Sequence, residues 1–413
     1  MGPIRSHFLF SPPQSTLFLM KSIDQAQLSG KRVVMRVDFN VPLDEHLQVT
    51  DDRRIREAAP TIQYCLDQGA SVVLMSHLGR PKDGPTDKYS LRHTVSTLEK
   101  YVTGKVQFAT DCIGEEAFAQ SAALKPGEVL LLENVRFYKE EEKGDAEFSM
   151  KLAKHGNVYV NDAFGTAHRA HASTTVVAIF VAEKYAGFLL KKEIDNADKV
   201  MSSEDRPVVA IMGGAKVSDK ILILERLLDK VDTIIIGGGM AFTFLKAKGY
   251  NIGKSLFEPD RVVMAASILK AAVAKNVSIF TPVDAVVSDK FGEDGNIQIV
   301  RNEDFPEDMM GLDIGPRTFE FFYDTIVNAK IILWNGPMGV FEMDTFAKGT
   351  FAVANAVAEA TRRGAFSLIG GGDSAAAIAK AELEDQVSYV STGGGALLEY
   401  LEGKVLPGIA ALD

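Results

Sequence analysis

The sequence predicts an α/β protein: two doubly wound parallel-sheet, Rossmann-like domains facing a cleft and joined by a connecting helix. Three observations carry this expectation. Short apolar and β-branched runs recur along the 413-residue chain and alternate with helical patterns. Strands apolar on both faces belong to parallel sheets covered by helices on each side. The ends of these runs carry glycines, arginines, lysines and carboxylates, where open parallel sheets bind their ligands. The rhythm breaks once, between Phe188 and Arg206, where Lys191, Lys192, Glu193, Asp195, Asp198 and Lys199 intervene.

In the first half, residues 33–37, 72–75, 129–132 and 158–160 read as buried strands. In the second, 207–212, 233–236, 277–280, 331–334, 365–369 and 387–390 do so. One helix is written out between the first two strands. Thr50 is placed to cap it, Asp51 and Asp52 suit its first turn, and Ile55, Ala58, Ile62 and Leu66 share one face before Gly69 ends it. The expected layout is an extension over 1–19, a first domain over 20–190, a connecting helix over 191–205 and a second domain over 206–402. A glycine-bounded tail, 403–413, is expected to cross back onto the first domain.

Composition excludes several classes. A net charge of −10 argues against non-specific nucleic-acid binding, and no apolar run is long enough to span a bilayer. Two cysteines, Cys65 and Cys112, are too few for a disulfide framework or a four-ligand zinc site, so a reducing, cytoplasmic setting is expected. In residues 1–19 the triplets Phe8-Leu9-Phe10 and Leu17-Phe18-Leu19 are split by Pro12-Pro13, and Arg5 is the only Lys or Arg before Lys21. That stretch reads as a disordered or mis-started extension, with Met20 as an alternative start, ahead of a targeting peptide.

The strand ends hold the chemistry. The apolar Phe366, Leu368 and Ile369 lead into Gly370-Gly371-Gly372-Asp373-Ser374 and then a run of helix formers. Glycines without Cβ atoms let a bulky anion lie on the backbone N–H groups, and the helix start adds unpaired donors. Asp373 can then hold a divalent cation beside phosphate, with Ser374 adding a hydroxyl; its plainer role is an N-cap. Met212-Gly213-Gly214-Ala215-Lys216-Val217-Ser218-Asp219-Lys220 follows a strand and is expected to open a helix. Lys216 and Lys220 would then share one helical face, with an anion between them. Gly237-Gly238-Gly239 is no dinucleotide fingerprint, since Phe242 stands where a third glycine belongs. In Trp334-Asn335-Gly336-Pro337-Met338-Gly339-Val340-Phe341-Glu342, Pro337 and Phe341 are placed to wall a base or sugar, and Glu342 to accept from ribose hydroxyls.

In the first half, strands run into Asp38-Phe39-Asn40, Ser76-His77-Leu78-Gly79-Arg80, Glu133-Asn134-Val135-Arg136 and a loop ending His168-Arg169-Ala170-His171. Arg80, Arg136 and Arg169, with His77 and Arg54, are expected to converge on one basic pocket, because guanidinium forks capture phosphate and carboxylate. Arginines so close disfavour a metal on His77, His168 and His171. Glu140-Glu141-Glu142 reads as a solvated loop.

Together Arg36-Val37-Asp38-Phe39-Asn40-Val41-Pro42, Ser76-His77-Leu78-Gly79-Arg80-Pro81 and Gly370-Gly371-Gly372-Asp373-Ser374 closely resemble phosphoglycerate kinases, over Lys21 to Asp413. The resemblance implies a first half that binds 3-phosphoglycerate or 1,3-bisphosphoglycerate through Asp38, Phe39, Asn40, Arg54, His77, Leu78, Gly79, Arg80, Arg136 and Arg169. It chooses Arg54 over Arg53 because Ile55 follows. It implies a second half that binds ADP or ATP through Lys216, Lys220, Gly238, Gly311, Asn335, Pro337, Glu342, Gly371, Gly372, Asp373 and Ser374, with Asp373 on Mg2+. The implied reaction is reversible phosphoryl transfer between 1,3-bisphosphoglycerate and ADP, by a monomer whose domains close on a hinge. Such transfer needs positioning and charge neutralisation more than a protein nucleophile. Lys216 and Arg54 are assigned to flank the moving group, with the N–H groups of Gly372 and Gly395, each at a predicted helix start, donating to its oxygens. A nicotinamide-dependent oxidoreductase would need an intact glycine fingerprint with its acidic partner, and a polyanion-binding scaffold would not need Asp373.

Overall fold

In the computed structural model, which describes residues 20–82 and 84–413, the apolar runs become two separate parallel sheets. The first contains β1 (Arg32–Arg36), β2 (Ser71–Met75), β3 (Val106–Phe108), β4 (Val129–Leu131), β5 (Val158–Asn161) and β6 (Glu183–Ala186), in the order β3-β4-β2-β1-β5-β6. The second contains β7 (Val208–Met212), β8 (Thr233–Ile236) and β9 (Ser278–Phe280), and, further along the chain, β13 (Ile331–Asn335), β14 (Phe366–Gly370) and β15 (Tyr389–Val390). Its order is β15-β14-β13-β7-β8-β9. Between β9 and β13 lies an antiparallel sheet, β10 (Asp284–Ser288), β11 (Ile297–Arg301) and β12 (Met310–Ile314), ordered β11-β10-β12. The sequence reading lacks this sheet and the edge strands β3 and β6.

Alternation explains why the strand runs are apolar throughout. Val33 and Met35 face one core with Ile55, Ile62 and Leu66, while Val34 between them faces another with Val73 and Met75. That second core continues without a break through Leu190, Ala197 and Val200 into Val208, Ala210 and Met212 of β7. The helix Phe188–Ser202 therefore packs against both sheets.

This helix starts earlier than the expected 191–205 because its cap is remote: Phe188 N–H donates to Thr61 Oγ1 at 3.0 Å and Leu190 N–H to Asp162 Oδ1 at 3.0 Å. The expected Thr50 cap is also corrected. The helix Arg53–Asp67 has Asp52 as its N-cap, which puts Asp51 and Asp52 ahead of the first turn. Asp52 accepts instead from the Tyr101 hydroxyl at 2.6 Å, and Thr50 donates to Pro42 O at 3.3 Å. The tail crosses to the first sheet: Gly408 N–H donates to Ala167 O at 2.8 Å, and Asn161 Nδ2 donates to Gly408 O at 2.9 Å. Glu193, in the helix Phe188–Ser202, accepts from Ser391 Oγ, Thr392 N and Thr392 Oγ1 at 2.6–2.7 Å.

His155 gives the fold a pH dependence. It is fully buried, donating from Nε2 to Cys112 O at 2.9 Å with Nδ1 at 3.0 Å from Ser121 Oγ, and burial pulls it down to about 4. A histidine near 6.5 when unfolded binds protons in the unfolded chain first, so stability falls as pH drops from about 6.5 towards 4. His155→Gln is expected to flatten that slope in urea titrations at pH 7, 6 and 5; an unchanged slope would assign the acid sensitivity elsewhere.

Candidate active site

The topology reverses direction between β7 and β13, and the second-half motifs meet there, outside the carboxyl ends of the strands. Gly213 N–H donates to Asn335 O at 2.9 Å and Gly214 N–H to Pro337 O at 3.1 Å, so the two strand-end turns are stitched together. Gly238 (φ +66°) backs onto both, where a Cβ would fall 2.6 Å from Gly214 N. A cavity of about 530 Å³ opens beside them, lined by Gly238, Phe242, Gly311, Pro337, Glu342 and Asp373 among others. Gly311 is needed because its Cβ would run into the Phe242 ring. Phe341, expected as a wall, belongs to the apolar core instead.

A second cavity, about 360 Å³, shares Gly214, Ala215 and Asp373 with the first and adds Lys216, Lys220, Gly371, Gly372, Gly394 and Gly395. Gly371 at φ +90° turns the chain into the helix Gly372–Lys380, and Gly395 opens the helix Gly395–Leu401. Apart from its chain neighbours and its own helix backbone, no described atom lies within 4 Å of where a Gly372 Cβ would be, so an anion can approach those N–H groups. Ser374 Oγ is committed to Gly336 N–H at 2.5 Å, holding the loop. That bond uses one lone pair of the oxygen and leaves the O–H donor available.

The expected lysine helix is corrected. The helix begins only at Ile221, with residues 218–220 in a turn ahead of it, so the two lysines share no helical face. Lys216 is exposed in the cavity. Lys220 is buried and donates to Asn335 Oδ1, and burial, opposed by Asp219 and Asp373, brings it down to about 8. Asn335 Nδ2 donates in turn to Gly370 O at 2.7 Å.

In the first lobe, Asp38 accepts from Arg54 Nη1 at 2.7 Å. Burial raises the Asp38 carboxyl, but the Arg54 and Arg36 guanidiniums outweigh it and hold it down at about 2. Asn40 accepts from Gly79 N–H at 2.8 Å, and Gly79 O accepts from Arg136 Nη1 at 2.8 Å. Arg80 is exposed beside this junction. The Phe39 and Leu78 side chains are buried in the core, so these two residues can offer the site backbone groups alone. Burial and the nearby Arg36 and Arg169 pull Arg136 down to about 10, which leaves it charged. Its Nε and Nη2 are buried without a hydrogen-bond partner among the described residues. Nε lies 3.4 Å from Oε1 of the exposed Glu142, which supplies a counter-charge.

Three residues here were missed or misjudged. Arg36 is buried inside β1, and a charge in an apolar run was its signal. His168 and His171, weighed only as metal ligands, sit among the arginines; Arg169 Nε donates to His168 Nε2 at 3.2 Å. Among the described residues no group of three or more His, Cys, Asp or Glu is placed to hold a metal.

A third cavity, about 200 Å³, joins the lobes, with Arg53 and Arg54 on one side and Gly371, Gly372 and Gly394 on the other. Arg53 also pairs with Glu384 across the gap. Arg54 and Lys216 thus look onto adjoining cavities that share Gly371, Gly372 and Gly394.

The phosphoglycerate kinase family profile matches residues 23–404. The chain belongs to the phosphoglycerate kinase family. A phosphoglycerate kinase of Chloroherpeton thalassium is 57% identical over 95% of this chain and 99% of its own length. A chloroplastic one of Volvox carteri is 55% identical over 95% of this chain and 85% of its own, and a cytosolic one of Triticum aestivum 53% over 95% and 98%. The solved phosphoglycerate kinase of Coxiella burnetii superimposes with a TM-score of 0.86 at 43% identity, covering 95% of this chain and 98% of that one. Family membership makes the chain a kinase, a phosphotransferase of glycolysis with a carboxyl acceptor.

Proposed function

We propose that this chain moves a phosphoryl group reversibly between the acyl phosphate of 1,3-bisphosphoglycerate and ADP, with the acid on the first lobe and the nucleotide on the second. The carrying observation is the run of three adjoining cavities linked through Gly371, Gly372, Gly394 and Asp373. Asp38, Asn40, Arg54, His77, Arg136 and Arg169 bind the acid, with Arg80 and the backbones of Phe39, Leu78 and Gly79. Gly238, Gly311, Pro337 and Glu342 receive the nucleoside. Lys220 and Asn335 hold the phosphate turn, and Gly371 to Ser374 close it.

Asp373 lines both the nucleotide and the transfer cavities. One carboxylate beside substrate phosphates fits Mg2+, which keeps most of its shell as water and phosphate oxygens; when bound it neutralises the nucleotide phosphates. The N–H groups of Gly372 and Gly395 donate to the equatorial oxygens of the moving group, and Arg54 and Lys216 flank it. Hinge closure about Phe188–Ser202 excludes water from the transfer cavity.

Both half-sites and their linking helix come from one chain, which supports a monomer, and a net charge of −10 gives no general attraction for nucleic acid. No described helix is long and apolar enough to cross a membrane. Cys65 and Cys112 are free and buried, which suits a reducing compartment such as the cytoplasm. The expected targeting or extension role of residues 1–19 lies outside the described residues. A coupled assay of ATP formation from 1,3-bisphosphoglycerate and ADP tests the reading. Nucleotide-dependent turnover is expected, and its absence with pure, folded protein would overturn it.

A further inference from the structure

Glu140-Glu141-Glu142, expected as a solvated loop, is split by the fold: Glu140 and Glu142 are exposed, but Glu141 is fully buried. It lies in the short helix Lys139–Lys143, just past Arg136. Its Oε1 accepts from Ser173 Oγ at 2.6 Å and its Oε2 from Ser173 N–H at 2.9 Å, while its backbone O accepts from Ala172 N–H at 2.9 Å. One residue therefore clamps the end of the loop that carries Arg169 and His171.

The chain of bonds goes further. Ser173 Oγ, which donates to Glu141, accepts from Arg36 Nε at 2.8 Å. Arg36 Nη2 lies 3.1 Å from His77 Nδ1. A guanidinium has only donors, so Nδ1 must be the accepting nitrogen and the neutral ring carries its proton on Nε2. His77 in turn lies beside Asp38, the partner of Arg54.

We infer that Glu141 is a positioning residue of the acid-binding lobe: through Ser173 and Arg36 it fixes the Nε2–H tautomer of His77 and holds the loop of Arg169 and His171 in register. This rests on the acid site proposed above. Glu141 touches no substrate; by accepting the Ser173 O–H and N–H together, its carboxylate fixes the hydroxyl with its lone pairs towards Arg36 Nε. With glutamine, the amide donates to Ser173, the hydroxyl loses its acceptor, and the arginine–histidine link slackens.

The test uses the full-length chain with Glu141→Gln, Ser173→Ala and the double variant. Each is followed by steady-state kinetics in both substrates, by thermal melting and by ¹⁵N NMR of the His77 ring. The KM for 3-phosphoglycerate is expected to rise about ten- to a hundredfold in each single variant, as for loss of a charge-assisted hydrogen bond, with the nucleotide KM unchanged. Since both changes cut one chain of bonds, the double variant should be no worse than the more affected single one. The ring spectrum should move from the Nε2–H form towards a mixture of tautomers. Equal rises in both KM values, additive losses, or an unmoved His77 spectrum would each overturn the inference. If Glu141→Gln does not fold, Ser173→Ala carries the test alone. Inactive wild-type protein would sink the kinase reading, and the tautomer measurement, which needs no turnover, would still decide this one.

Discussion

Lys216→Ala is expected to lower kcat by about 10²–10³-fold while leaving both KM values within a few fold. That is the loss typical of removing one preorganised donor from charge developing in a transition state. The geometry separates the two lysines of the turn. Lys220 is buried against Asn335, so its removal would loosen the nucleotide loop and act on binding. Lys216 is exposed in a cavity of about 360 Å³ with Gly372 and Gly395, so its ammonium is available to the moving group. Because Lys216 is exposed, the variant should melt like the parent. Lys216→Arg should recover only part of the rate, since a planar fork does not occupy the place of a compact ammonium. Near wild-type turnover in Lys216→Ala would remove this residue from the transfer step.

The features legible in the sequence are those whose chemistry is local. Glycines at a strand end, as at Gly370-Gly371-Gly372, state their purpose by lacking a Cβ. Arginines following successive apolar runs, as at Arg136 and Arg169, state theirs by number and spacing. What depended on distant partners was not legible. The start of Phe188–Ser202 is set by Thr61 and Asp162, far away in the chain. The middle one of three glutamates is buried by Ser173. Phe39 and Leu78 sit inside the strand-end motifs yet fill the core, because the alternation of β1 and β2 carries on past their last residues, with Val37 and Phe39 following Met35 into the same core and Leu78 following Leu74. The antiparallel sheet escaped for a different reason. Its outer strand Ile297–Arg301 is largely exposed, so it lacks the continuous apolar run that marked the parallel strands.

Arg54→Ala should cost as much rate as the lysine change, about 10²–10³-fold in kcat, and should also destabilise the fold, because Arg54 does two jobs. It faces Gly371 and Gly372 across the cavity between the lobes, and it pairs with Asp38 at 2.7 Å. Asp38 is held at about 2, below its ordinary 3.8. A carboxyl depressed in the folded state adds stability above the unfolded value, and that stability is lost as pH falls from about 4 towards 2. Without Arg54 the pairing contribution is lost already at neutral pH, and the variant should melt a few degrees lower. It should also lose less further stability than the parent does as pH falls from about 4 towards 2, because that contribution is already gone. Arg54→Lys separates the jobs. Its charge still reaches Asp38 and should restore most of the melting temperature, whereas its single ammonium cannot span Asp38 and the transferring phosphoryl together, so kcat should stay at least tenfold down. If the lysine variant recovered rate and stability in parallel, Arg54 would be a structural partner of Asp38 alone. The charge opposite Lys216 would then have to come from elsewhere in the first lobe.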